Sequence, residues 1–186
     1  MLPRQELESK IRNITTGTSL HVLKIKRAFE ELENLGEFYT TNKRYIVLHH
    51  SWTKDSTTVS WNPIREDHMV RFNTNDIGYH FGIEEVRKAE VYEVLYGRRI
   101  NSKGCHCPQH NMNNVGIGFM FCGNFDIAPP PIKMLYKAAD FIADLCNIIG
   151  ISPNNICGHR DHNSARTCPG LKFDIEQFKS LVNERV

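Results

Sequence analysis

The spacing of hydrophobic and polar positions changes several times along the chain, and each change marks an element. Tyr45-Ile46-Val47-Leu48 is an unbroken apolar run with the length of a buried strand, ending at His49. Helical spacing covers Ile64 to Phe72, after which Asp76-Ile77-Gly78 turns the chain into a strand from Tyr79 to Ile83. A β-rich stretch follows from Val91 to Tyr96, and a long apolar strand from Val115 to Cys122 stops at Gly123-Asn124. Pro129-Pro130-Pro131 introduces the strongest helix, Ile132 to Ile149, with Leu135, Ala139, Ile142, Cys146 and Ile149 on one face and Gly150 as its stop. A last amphipathic helix runs from Asp174 to Asn183. Alternating strands and helices, with no internal repeat or low-complexity linker, predict an α/β fold: a single domain over residues 41–186 with a central mixed β-sheet flanked by helices.

Residues 1–40 have a different pattern and carry no cluster of catalytic residue types, which predicts a separate N-terminal helical extension. Pro3 to Asn13 reads as one short helix. A second, Leu20 to Leu35, places Val22, Ile25, Phe29 and Leu32 on one face before Gly36. That face is expected to pack on the main domain as a helical hairpin; the other reading is an arm that binds a protein partner.

A chain of 186 residues with 40% hydrophobic residues can bury one sizeable core. Lysine and arginine (23) nearly balance aspartate and glutamate (21), so nothing marks a surface for nucleic acid or anionic lipid. The longest apolar stretch is too short to span a bilayer and the first residues lack the apolar core of a signal peptide, so the expectation is a protein that is cytoplasmic when synthesised and not inserted in a membrane. Six cysteines in such a chain are expected to be reduced thiols. Cys122 and Cys146 sit in apolar runs as small buried hydrophobes, and Cys157 is expected to pack inward from a strand.

Gly158-His159-Arg160-Asp161 is followed, nine positions after the histidine, by Cys168 in Arg166-Thr167-Cys168-Pro169-Gly170. Imidazole and thiolate are good zinc ligands, and a catalytic zinc needs three protein ligands with one position left open. The third is sought at His49-His50-Ser51, where side-chain alternation lets only one of the two histidines enter from a regular strand. Cys105, Cys107 and His110 offer soft ligands for a second metal, although only three are visible. Gly116, Gly118 and Gly123 do not make a phosphate loop, because no lysine-serine or lysine-threonine follows; they point to close packing or to a nearby ligand. No pair of carboxylates suited to a glycosidase stands out in these blocks.

Four blocks occur in one order: His49-His50-Ser51-Trp52-Thr53; Asp76-Ile77-Gly78-Tyr79-His80-Phe81; Gly104-Cys105-His106 with His110-Asn111-Met112-Asn113-Asn114-Val115-Gly116-Ile117; and Gly158-His159-Arg160-Asp161 with Thr167-Cys168-Pro169-Gly170. Together they resemble the type 2 N-acetylmuramoyl-L-alanine amidases, a family that includes phage lysozyme-type amidases and peptidoglycan recognition proteins. The resemblance implies a Zn2+ enzyme that hydrolyses the amide between N-acetylmuramic acid and L-alanine in peptidoglycan or a soluble muropeptide. It assigns His49, His159 and Cys168 as metal ligands, and Tyr79 and Arg166 as catalytic residues. His106, Asn111 and Asn113 would belong to the substrate groove. Arg166 departs from the family's usual lysine, and Asn114 replaces the usual serine. Cysteine at 168, where non-catalytic relatives carry serine, favours an enzyme over a binding module. The size and the expected lack of export signal fit a phage or prophage endolysin reaching the wall through a membrane lesion, with a muropeptide-recycling amidase as the close alternative.

Overall fold

The run Tyr45–Leu48 becomes the first strand of a five-stranded sheet in a computed structural model that describes residues 41–54, 60–87 and 90–186. The helices expected within residues 1–40 lie outside the described residues. In chain order the elements are β1 (Tyr45–His50), α1 (Trp61–Arg71), β2 (Phe81–Arg87), β3 (Val91–Tyr96), α2 (Met112–Val115), β4 (Gly116–Phe121), α3 (Ile132–Ile149), β5 (Ile156–Gly158) and α4 (Ile175–Asn183). The strand order is β3-β2-β4-β1-β5; β2, β4, β1 and β5 run parallel and β3 pairs antiparallel with β2. This is the expected mixed sheet flanked by helices.

The sheet buries both faces, and side-chain alternation decides which residue serves which face. Ile46 and Leu48 of β1 and Ile117, Phe119 and Phe121 of β4 join the main core, covered by α3 and α4. Phe141 of α3 meets Phe81 with ring centroids 5.0 Å apart, and Phe178 of α4 meets Phe121 at 5.6 Å. Residues between these point the other way. Met120 and Cys122 pack with Trp61 and Ile64 of α1, and Val47 packs with Cys107 and Met112. His49 shares the parity of Val47, so it emerges on this second face at the carboxyl ends of the parallel strands.

Several boundaries differ from those read in the sequence. Helix α1 begins at Trp61, three residues before Ile64, because Pro63 falls in the first turn, where its missing N–H is not needed, while Glu84 Oε2 accepts the Trp61 N–H at 2.7 Å. The β2 ladder starts at Phe81 and continues to Arg87, drawn out by its pairing with β3. Val115 closes α2 instead of opening β4. Helix α3 keeps its expected bounds, with Gly150 at φ 78° accepting the left-handed turn that ends it. Asp174 caps α4 by accepting the Gln177 N–H at 2.9 Å.

Candidate metal centre

Parallel pairing of β1 with β5 sets Leu48 beside Gly158, so the next residue of each strand, His49 and His159, leaves the sheet at the same end. Their rings lie 4.9 Å apart. Cys168 comes back to this edge from the loop after β5: its carbonyl accepts the Arg160 N–H at 2.8 Å, and its Sγ accepts the His50 N–H at 3.1 Å. One ligand atom from each of His49, His159 and Cys168 lies within 4.8 Å of the others, and among the described residues no other histidine, cysteine or carboxylate group converges in this way.

His49 Nδ1 stands 3.6 Å from Cys168 Sγ, whereas its Nε2 is 3.1 Å from His106 Nδ1. Nε2 of His159 is buried and has no hydrogen-bond partner, the condition of an atom that needs a ligand. Two imidazoles and a thiol suit a borderline-soft ion such as zinc. His50 takes another course. Its Nδ1 accepts the Phe125 N–H at 3.2 Å and its ring lies against Phe125.

Burial, then the neighbouring histidines, holds the His49 pKa well below its ordinary value. Burial followed by Arg166 and His162 brings His159 down to about 4. Both rings are therefore neutral and have lone pairs to offer. Burial pushes the Cys168 thiol up to about 12, opposed by the His50 N–H and by Arg166 and Arg160. A divalent cation would reverse that balance by binding the thiolate.

The centre opens into a cleft of about 700 Å³ whose walls include Trp52, His68, Phe72, Tyr79, His106 and Arg166. Tyr79 is set by the Asp76-Ile77-Gly78 turn: Arg98 donates to the Ile77 and Asp76 carbonyls, and His68 Nδ1 accepts the Gly78 N–H at 3.1 Å. The Tyr79 ring then lies 5.0 Å from that of His49 and 5.4 Å from that of His68. Burial raises its pKa, so the phenol stays a donor. Arg166 is exposed on the cleft wall and forms no ion pair among the described residues, and Asp161 accepts the Gly158 N–H at 2.7 Å.

The groove residues divide. His106 faces the cleft and also backs His49. Asn113 lines the cleft, but its Oδ1 accepts the N–H groups of both His106 and Cys107 at 2.8 Å, which shapes the loop. Asn111 is exposed at φ 62°, hydrogen-bonded to Asn114, and lies outside the cleft walls. Cys105, Cys107 and His110 do not converge: Cys107 Sγ turns to Gln109, and His110 Nδ1 lies 3.0 Å from His162 Nδ1. Cys157 lies against the Val47 and Cys107 cluster with its Sγ 3.2 Å from His162 Nε2. Trp52 entered the sequence reading only as part of a motif block, with no role given to it, and His68 was not singled out. A histidine on a largely exposed helix carries no motif of its own.

The family model for N-acetylmuramoyl-L-alanine amidase matches residues 39–171. The chain belongs to this family. A peptidoglycan-recognition protein of Drosophila melanogaster, of the SB series, is 34% identical over 152 residues, 76% of each chain. An endolysin N-acetylmuramoyl-L-alanine amidase from Clostridium intestinale superposes with a TM-score of 0.64 at 27% identity, covering 77% of this chain and 85% of that one. A Drosophila PGRP-LB mutant in complex with tracheal cytotoxin gives 0.62 at 26% identity, covering 74% and 81%. The overall fold is thus the one shared by the amidases and the peptidoglycan-recognition proteins.

Proposed function

We propose that this chain is a zinc-dependent N-acetylmuramoyl-L-alanine amidase that cleaves the amide between N-acetylmuramic acid and L-alanine, and that it serves as a phage or prophage endolysin. The observation that carries this reading is the convergence of His49, His159 and Cys168 within 4.8 Å, with the thiol present and a buried His159 nitrogen left unpaired. Similarity to a Clostridium endolysin amidase supports the wall as the site of action. Among the described residues no helix is long and apolar enough to cross a membrane.

His49, His159 and Cys168 would hold the ion, which when bound supplies Lewis acidity toward the scissile carbonyl and acidifies water near neutral pH. The rest falls to the protein. His106 orients the His49 ring through the 3.1 Å contact with Nε2, fixing which nitrogen faces the centre. Tyr79, protonated because burial raises its pKa, donates a hydrogen bond where negative charge develops on the carbonyl oxygen. Arg166 places a permanent positive charge on the same wall.

The peptidoglycan-recognition relatives supply the second reading, binding without hydrolysis. Digestion of purified sacculi with mass analysis of the products separates the two. The amidase releases stem peptides with free L-alanine amino termini and leaves intact glycan, and chelation stops it. Hydrolysis that persists after complete removal of metal would overturn the proposal.

A further inference from the structure

We infer that the indole face of Trp52 is a saccharide subsite that stacks on an N-acetylhexosamine ring of the glycan strand; the choice of ligand rests on the peptidoglycan reading above. Trp52 is 72% exposed, which leaves its ring little part in the core. Its backbone sits at φ 57°, in the left-handed region that a bulky residue rarely adopts. Strain of this kind persists only where neighbours impose it, and here they do. Ser51 donates its N–H to the Phe121 carbonyl at 3.0 Å, its Oγ accepts the Gly123 N–H at 2.8 Å, and the same Oγ lies 2.6 Å from Thr53 Oγ1. The chain is therefore pinned beside Trp52, and the indole is held in the wall of the cleft that contains His49 and Cys168. Burial does not account for a tryptophan at this position, and its place in the cleft wall offers the indole face to a ligand.

The chemistry of the polymer selects the sugar. A short peptide stem offers no broad flat apolar face, whereas a pyranose presents a face of C–H groups of a size that an indole can cover. Asp126 lines the same cleft, and each of its carboxylate oxygens accepts one protein donor, from Thr167 at 2.9 Å and from Leu171 at 2.8 Å. A carboxylate oxygen can accept more than one such bond, which leaves capacity for a sugar hydroxyl.

The chain's two tryptophans give a direct readout, since Trp61 is only 5% exposed. Titrating the full chain with chitotetraose should shift tryptophan emission saturably. In Trp52→Ala that response should disappear and calorimetric affinity for chitotetraose fall by about tenfold, with Trp52→Phe retaining most of it. Melting temperature should not fall in Trp52→Ala, and affinity for the free stem tripeptide should stay unchanged. No binding of chitotetraose, wild-type affinity in Trp52→Ala, or loss of tripeptide affinity would each overturn the subsite. The sugar-only probe needs no hydrolysis, so a failed amidase reading would appear separately, as uncut sacculi with the titration intact.

Discussion

His106 Nδ1 lies 3.1 Å from His49 Nε2, the imidazole nitrogen opposite the one that faces Cys168. Only one of these two nitrogens can carry the shared proton. If His49 offers Nδ1 to an ion, its Nε2–H is the donor and His106 Nδ1 the acceptor. Partners of this kind typically contribute roughly 10- to 100-fold to metal affinity. His106→Ala should therefore weaken zinc binding by about that factor in a chelator competition, while sacculus hydrolysis recovers as zinc is raised. Unchanged zinc affinity would reduce His106 to a groove residue alone.

The His106 ring rests in a cradle made by two glycines. A Cβ on Gly118 would come within 2.6 Å of His106 Cδ2 and 2.7 Å of Cγ, and one on Gly104 would strike the same ring. The ring is buried and held at Nδ1, so it cannot swing aside cheaply. Gly118→Ala should cost about 1–3 kcal/mol of stability by overpacking and lower zinc affinity in parallel with His106→Ala. Denaturant unfolding and the same competition assay read the two effects. A variant with native stability and native affinity would show that the ring has room to move.

Elements were legible in the sequence where one physical signal dominated. The β1 run and the α3 stripe each bury a continuous apolar surface, and β3 matches its reading residue for residue. The convergence of His49, His159 and Cys168 was legible as motifs. Which histidine enters depended on strand parity, and His49 shares the face of Val47 as that parity requires. What local sequence could not convey is contact between distant segments. The hydrogen bonds that give Asn113 to the loop, the left-handed turn that carries Asn111 away from the cleft, and the packing of His68 against Tyr79 all arise from tertiary placement. Gly118 was read as close packing or a nearby ligand, and the neighbour is a histidine ring.

The histidines make the metal-free protein acid-sensitive. Burial depresses His159 to about 4 and His106 to about 3, and holds His49 and His80 well below their ordinary value, while the unfolded chain titrates near 6.5. Between those values the unfolded state binds more protons, so stability is full above about pH 6.5 and is lost progressively as pH falls through about 4 and then about 3. The chelated protein should melt at a lower temperature at pH 5 than at pH 7.5. A flat profile, or greater stability at pH 5, would contradict the neutral packing of these rings.

Tyr79 and Arg166 should separate chemistry from metal retention. Tyr79→Phe keeps the ring that packs on His49 and His68 and removes only the donor, so kcat should fall by about 10²- to 10³-fold with zinc content unchanged. Arg166→Lys keeps the charge and loses the planar fork. Activity close to the original would assign Arg166 a simple electrostatic role, and a loss as deep as that of Arg166→Ala would assign it a geometric one. If Tyr79→Phe retained full kcat, the phenol would not be the oxyanion donor.

Cys168→Ser tests the metal edge itself. The Sγ is held by the His50 N–H at 3.1 Å and by its place beside His49, and a serine hydroxyl can accept the same N–H. The fold should therefore survive with a stability change of about 1 kcal/mol or less. A neutral hydroxyl cannot supply the soft anionic ligand, so zinc retention and sacculus hydrolysis should both be lost. Binding to sacculi should persist, because the other walls of the cleft, Trp52, Phe72 and Arg166 among them, are untouched. Binding lost together with zinc would mean that the ion itself anchors the polymer, and hydrolysis retained without zinc would remove the metal from the reaction.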